Sequence, residues 1–299
     1  MHTEAFSFVL QLGSNLSGAI ERNGILNVFQ QKYKKHFELC DKLLSLALQV
    51  LPLMPSPSKS YGEVITAFFI QGLNLFRSAT LLCKEGLGYE ASLLIRSLLN
   101  LSFLATWTEQ KKAERADRFL GWFWKQRMDY FKRIGQVPPA TEQAAWDKMK
   151  HLFEYTDKRG KKGLEKNWYG NAKISELAAS LQEEKPPPDG YKSWAELHYV
   201  EAYKPLSDIE HSNPIASSAF LRRVKGRYLI GYLSSDEVIH EALKGSFQYF
   251  YRIFCAWNSH FGAVSLDTLT QLLQTSKEYF QLFEDEEARR KNPALNPKP

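Results

Sequence analysis

The sequence is short of the residues that announce familiar chemistries. It holds three cysteines in 299 residues, Cys40, Cys83 and Cys255. They are odd in number, far apart and form no C-x-x-C pair. That excludes a disulfide framework and a cysteine-rich zinc site, and it fits a reducing compartment. No G-x-S-x-G elbow is present, and Ser207 and His211 on one helix have no evident oxyanion hole, so a serine hydrolase is set aside. Gly160-Lys161-Lys162-Gly163 lacks the spacing and the following hydroxyl residue of a phosphate-cradling loop. The first residues, Met1 to Phe6, have no basic start leading into an apolar stretch, so a signal peptide is not expected. No strictly alternating apolar run stands out, and none is joined by an Asn-Gly or Asp-Gly turn, so strands are not expected. Two stretches, Val64 to Cys83 and Ala91 to Trp107, are nearly apolar, but each carries an arginine near its middle, Arg77 and Arg96. A central arginine costs a spanning helix about 2.5 kcal/mol or more. Both stretches are therefore read as buried bundle helices. No membrane association is expected, and the location is read as cytoplasmic.

What is present is material for a core. Apolar residues make up 44% of the chain and aromatic residues 13%, which excludes intrinsic disorder. The net charge of +6 is local. Residues 1–150 hold 19 Lys/Arg against 13 Asp/Glu, residues 151–299 hold 20 against 20, and the window 111–173 holds 16 against 8. Such a local excess attracts phosphate-bearing partners.

Helical periodicity and helix punctuation recur throughout. Helices are expected over about 23–51, 60–85, 89–109, 113–134, 141–155, 172–184, 193–211, 215–233, 234–261 and 266–290. The stops are chemical: Pro52, Pro55 and Pro57 end the first, Gly86 and Gly88 the second, and Pro186-Pro187-Pro188 the sixth. Ser193 and Glu196 form a capping-box pattern. The expected fold class is all-α, an antiparallel helical bundle with additional N- and C-terminal helices.

Two segments carry candidate chemistry. In the hairpin of the second and third helices, positions summing to about 173 lie at one height, which levels Arg77 with Arg96 and Asn74 with Asn100. A buried guanidinium needs a partner, and these helices supply no nearby acid. The layer reads either as a phosphate or anion site or as partly exposed arginines with buried stems, or a structural ion pair. In the 193–211 helix, Tyr199, Tyr203, Ser207 and His211 recur every four residues on one face. His211 reads as a general acid–base or as a histidine that closes a helix end.

Three pieces carry a resemblance: Gly88-Tyr89-Glu90-Ala91-Ser92-Leu93-Leu94-Ile95-Arg96-Ser97-Leu98-Leu99-Asn100, then Trp168-Tyr169-Gly170-Asn171-Ala172-Lys173-Ile174, then Tyr203-Lys204-Pro205-Leu206-Ser207-Asp208-Ile209-Glu210-His211. Over about 60–220 the chain resembles a bacterial all-helical family of unknown function that is similar to HEPN-type (higher eukaryote and prokaryote nucleotide-binding) proteins. The resemblance implies RNA binding or metal-independent RNA cleavage, without a cofactor, in a bacterial defence or toxin setting. A homodimer or a protein partner goes with it. His211 matches the histidine of the HEPN Arg-x4-6-His motif, and Lys204 stands where the arginine is expected. Asn100 stands where that family carries an acid, four residues after the hairpin arginine. The implied organisation is an N-terminal helical extension over 1–57, an HEPN-like core over 58–262 and a C-terminal helix and tail over 263–299.

Two further constellations carry candidate chemistry. The fourth helix interleaves Arg115, Arg118, Lys125 and Arg127 with aromatic residues, and with Lys161 and Lys162 it reads as a nucleic-acid face or as a packing helix with a solvated basic rim. Asp208-x-x-His211 and Glu237-x-x-His240 have the acid-x-x-His spacing of a di-metal bundle. That is the second alternative to the RNA reading, after a non-enzymatic binding or oligomerisation module.

Overall fold

A computed structural model describes residues 26–53, 59–182, 186–204, 206–207, 221–224, 227–230 and 236–291. The protein is all-α. After a helical stretch over 26–32, α1 spans Lys34–Val50, α2 Ser60–Lys84, α3 Gly88–Gln110, α4 Lys112–Arg133, α5 Ala140–Met149, α6 Ile174–Ala179, α7 Trp194–His198, α8 Asp236–Phe261 and α9 Leu266–Lys291.

Three helices, α2, α3 and α8, pack along one another and form the centre. α2 ends where the sequence says it should. Gly86 takes a φ of 74°, open to glycine without penalty, and Leu87 N–H closes back on the Leu82 carbonyl at 2.8 Å. The interior is aromatic: Phe76 stacks on Phe250 at 4.9 Å and Phe69 on Trp257 at 5.0 Å. Gly245 lets α8 approach α3, because a Cβ there would sit 2.9 Å from Ile95 Cγ2. α1 and α9 pack against each other and complete the same core through Phe37, Tyr279 and Phe283. α2 is long and apolar enough to cross a membrane by length and composition, yet half of its most apolar window is buried by neighbouring helices.

Two stretches depart from the helical expectation. The fifth helix stops at Met149, a 3-10 turn runs over Lys150–Phe153, and β1 (Glu154–Thr156) pairs antiparallel with β2 (Lys162–Leu164). The basic loop forms the tip of this hairpin. The Asp157 carboxylate accepts from the Arg159 and Lys161 amides, and Gly160 has a φ of 76°. This Asx-type turn is local chemistry that helical periodicity does not register. Within the described residues of the helix expected over 215–233, β3 (Leu221–Val224) pairs antiparallel with β4 (Arg227–Ile230). In the sequence two residues separate the strands, the commonest length for a hairpin connection.

The 193–211 helix is irregular within its described part. Ser193 Oγ accepts from the Glu196 amide at 2.9 Å, as the capping pattern requires. The α7 turn then widens into a π-helix over Tyr199–Tyr203. Single π-turns of this kind occur often at functional sites.

Candidate functional site

The expected four-residue polar layer separates into two sides. α2 turns Phe69, Leu73 and Phe76 to the core, which leaves Asn74 and Arg77 exposed on its outer face. Arg96 and Asn100, on α3, are half-buried. Arg96 has found a partner on a distant segment. Its Nη2 donates to the Tyr203 hydroxyl at 3.1 Å, and the guanidinium lies 4.8 Å from the centre of the Tyr203 ring. Tyr203 in turn stacks on Tyr199 at 5.1 Å. Asn100 Oδ1 is buried and accepts no hydrogen bond among the described residues.

Tyr169 belongs to the same neighbourhood. Burial raises the pKa of its phenol, and the nearby Tyr203 phenol raises it further. Its neighbour Trp168 is anchored by rings from three helices' worth of core, Trp107 at 5.5 Å, Phe119 at 4.9 Å and Phe68 at 6.2 Å. Segment 88–100 therefore meets Tyr203 through Arg96, and Tyr169 of 168–174 lies near enough to Tyr203 to feel its charge. Lys204 is exposed at this junction and Ser207 is half-buried. His211 and Asp208 lie outside the described residues.

The basic aromatic helix, α4, spends most of its cations inside the chain. Arg118 donates from Nε to the Trp168 carbonyl at 2.9 Å, from Nη1 to the Leu152 carbonyl and from Nη2 to Glu165. It clamps the hairpin segment onto α4. Arg127 makes a two-pronged pair with Glu142 at 2.8 and 2.9 Å. Lys125 pairs with Asp129 at 2.7 Å, and Arg115 lies over the Trp107 ring and donates to its carbonyl. Lys161 and Lys162 are exposed at the hairpin tip. Lys112, Lys132 and Arg133 stay exposed on α4, and Lys158, Arg159, Lys161, Lys162 and Lys166 are exposed on the 158–166 loop.

The acid-x-x-His pair on α8 does not share a site. Glu237 is exposed, whereas His240 is buried, faces the Phe283 ring at 4.7 Å and approaches Glu286 at 2.9 Å. His36 comes to the other oxygen of the same carboxylate at 3.7 Å. Burial is the main reason its pKa falls below the usual histidine value.

One residue escaped the sequence reading. His198, the last residue of α7, lies half-buried against α8 with its Nε2 at 3.2 Å from Gln248 Nε2 and its ring against Tyr249. Burial, then Arg252 and Lys244, push its pKa down to about 3. The available signal was weak: a histidine five residues after the capping Ser193, with Glu201 three residues further on.

These features define an all-α helical bundle with a polar junction where Arg96 of α3 meets Tyr203 of the π-turn. The chain belongs to a family of unknown function, DUF5677, matched over residues 62–228, more than half of its 299 residues. That span contains Arg96, Tyr169, Tyr203 and His211. No curated protein and no solved structure matches the chain.

Proposed function

We propose that this protein is an HEPN-like RNA-binding protein, and that the Arg96–Tyr203 junction is where it holds the RNA backbone. One observation carries the reading: the arginine of the apolar hairpin is delivered to the aromatic face of the segment that leads to Lys204, Ser207 and His211. A guanidinium held over a phenol ring is already oriented, and its planar fork matches the geometry of a phosphate. The exposed Lys161 and Lys162 add diffuse attraction for a polyanion.

In the same reading the protein cleaves RNA without metal. His211 takes the proton of a ribose 2′-hydroxyl, whose oxygen attacks the adjacent phosphorus. The bond to the 5′-oxygen breaks, that oxygen receives a proton, and a 2′,3′-cyclic phosphate remains. Arg96 and Lys204 offset the charge that develops on the phosphoryl oxygens. A cytoplasmic location and a bacterial defence or toxin role go with this reading. Its test is fluorescence anisotropy with a labelled single-stranded RNA. Wild type binds with affinity that falls as salt rises, and Arg96→Ala, still folded by circular dichroism, binds about tenfold more weakly, the loss of one charged contact. Equal affinities count against it.

A second reading is a non-enzymatic oligomerisation module. It is favoured by the exposed side of α2, where Ile70 and Leu81 are 42% and 52% exposed and Leu94 of α3 lines the same surface groove as Ile70. It predicts a dimer by light scattering that Ile70→Lys converts to a monomer, with no change in RNA affinity.

A further inference from the structure

A cavity of about 320 Å³ opens between α3, the 198–206 segment and α8. Ile95 and Ala202, the chain neighbours of Arg96 and Tyr203, line it together with Leu206 and Ala242, so its body is apolar. Its polar groups are of a different kind from those of the arginine junction. His198 and Gln248 lie on the wall, and the carboxylates of Glu201 and Glu241 line the exposed side. The one lining cation, Lys244, is offset by Glu287 at 2.7 Å. Among the described residues Glu241 has the His240 imidazole 4.0 Å away as its ion-pair partner, and Glu201 forms no ion pair. The uncompensated charge of the lining is negative, which repels phosphate and attracts cations.

We infer that this cavity is a binding site for a small organic cation of the amine or guanidine class, its N–H groups held by Glu201 and Glu241 and its aliphatic body lying on Ile95, Ala202 and Leu206. A carboxylate pair matches the several donors of an ammonium or guanidinium group, and such charge-assisted bonds are the strong ones. The apolar wall suits a short methylene chain rather than a bare metal ion. His198 stays neutral at physiological pH, so it offers a hydrogen-bonding nitrogen without repelling the ligand. Arg252, which helps to keep it neutral, is not part of the lining. This inference is independent of the RNA reading, because neither Arg96 nor Lys204 lines the cavity.

The test is calorimetric titration of the full chain with agmatine and with n-butylamine, at matched ionic strength, with inorganic phosphate as the contrast. Agmatine is expected to bind saturably at one site and to raise the melting temperature. Glu201→Gln with Glu241→Gln, both at exposed positions, is expected to weaken agmatine by about tenfold or more while leaving the melting temperature of the free protein unchanged. Ala202→Trp, which fills the cavity, is expected to abolish binding. Phosphate is expected not to compete. No saturable binding of either amine overturns the inference. So does agmatine binding that survives both the double substitution and the filled cavity, or displacement of agmatine by phosphate.

Discussion

Arg96 and Tyr203 stand 107 residues apart in the chain and meet at 3.1 Å, the guanidinium both donating to the phenol oxygen and lying over its ring. Two different forces hold the pair, and substitutions can separate them. Tyr203→Phe removes the hydrogen bond and keeps the ring, so it is expected to cost RNA affinity two- to threefold, about 0.5 kcal/mol. Arg96→Lys keeps the charge and loses the planar fork, and is expected to cost more. Anisotropy titrations of both variants check the order. A larger loss for Tyr203→Phe would show that the phenol itself, not the arginine, contacts the RNA.

Arg118 is expected to matter for folding and not for RNA. Its guanidinium joins the Trp168 and Leu152 carbonyls and Glu165, and both side chains of the pair are mostly buried, at 15% and 18% exposure. Arg118→Ala leaves Glu165 and two carbonyls without their donor. The expected loss is about 3 kcal/mol, as for breaking a buried, hydrogen-bonded pair. Urea unfolding measures it, and an unchanged midpoint would contradict the clamp.

The helix crossing at Gly245 makes a sharper prediction. Gly245→Ala places a methyl 2.9 Å from Ile95 Cγ2. Overpacking of that kind costs about 1–3 kcal/mol, against about 1 kcal/mol gained from helix propensity. The net expectation is destabilisation that Ile95→Val partly relieves. A double-mutant cycle by thermal unfolding reads the coupling.

Acid should loosen the contact between α7 and α8. The folded protein holds His198 at a pKa of about 3, below the ordinary histidine value of 6.5. Between those limits the unfolded chain binds the extra proton, so stability is complete above about pH 6.5 and falls as the pH drops toward 3, by up to about 1.4 kcal/mol per pH unit for one site. His36, whose pKa is also lowered, acts in the same direction. His198→Gln is expected to flatten the acid limb without abolishing it. An unchanged acid limb in that variant would mean that His198 gains no proton on unfolding.

The helical scaffold was legible because its signals are local and periodic. The proline cluster ends α1 at Val50, Gly86 turns the α2–α3 hairpin, and Ser193 caps α7 as its spacing with Glu196 implies. Arg96 was legible as a residue in need of a partner, but the partner was not, because Tyr203 arrives from another part of the chain. Levelling Arg77 with Arg96 captured height along the hairpin and missed rotation: a step of one position on α2 separates the core-facing Phe76 from the exposed Arg77. The cations of α4 looked like a surface for the same reason. Their carbonyl and carboxylate partners, at Leu152, Trp168, Glu165 and Glu142, follow in later segments. The β3–β4 hairpin was not legible because its sequence holds neither an Asn-Gly nor an Asp-Gly turn.

The most direct test of the central claim is a gel assay with end-labelled RNA in EDTA, comparing wild type with His211→Ala. Retarded RNA that is cut by wild type, and retarded but intact RNA with His211→Ala, is the predicted outcome. RNA that neither protein retards, or that both cut equally, would contradict the account.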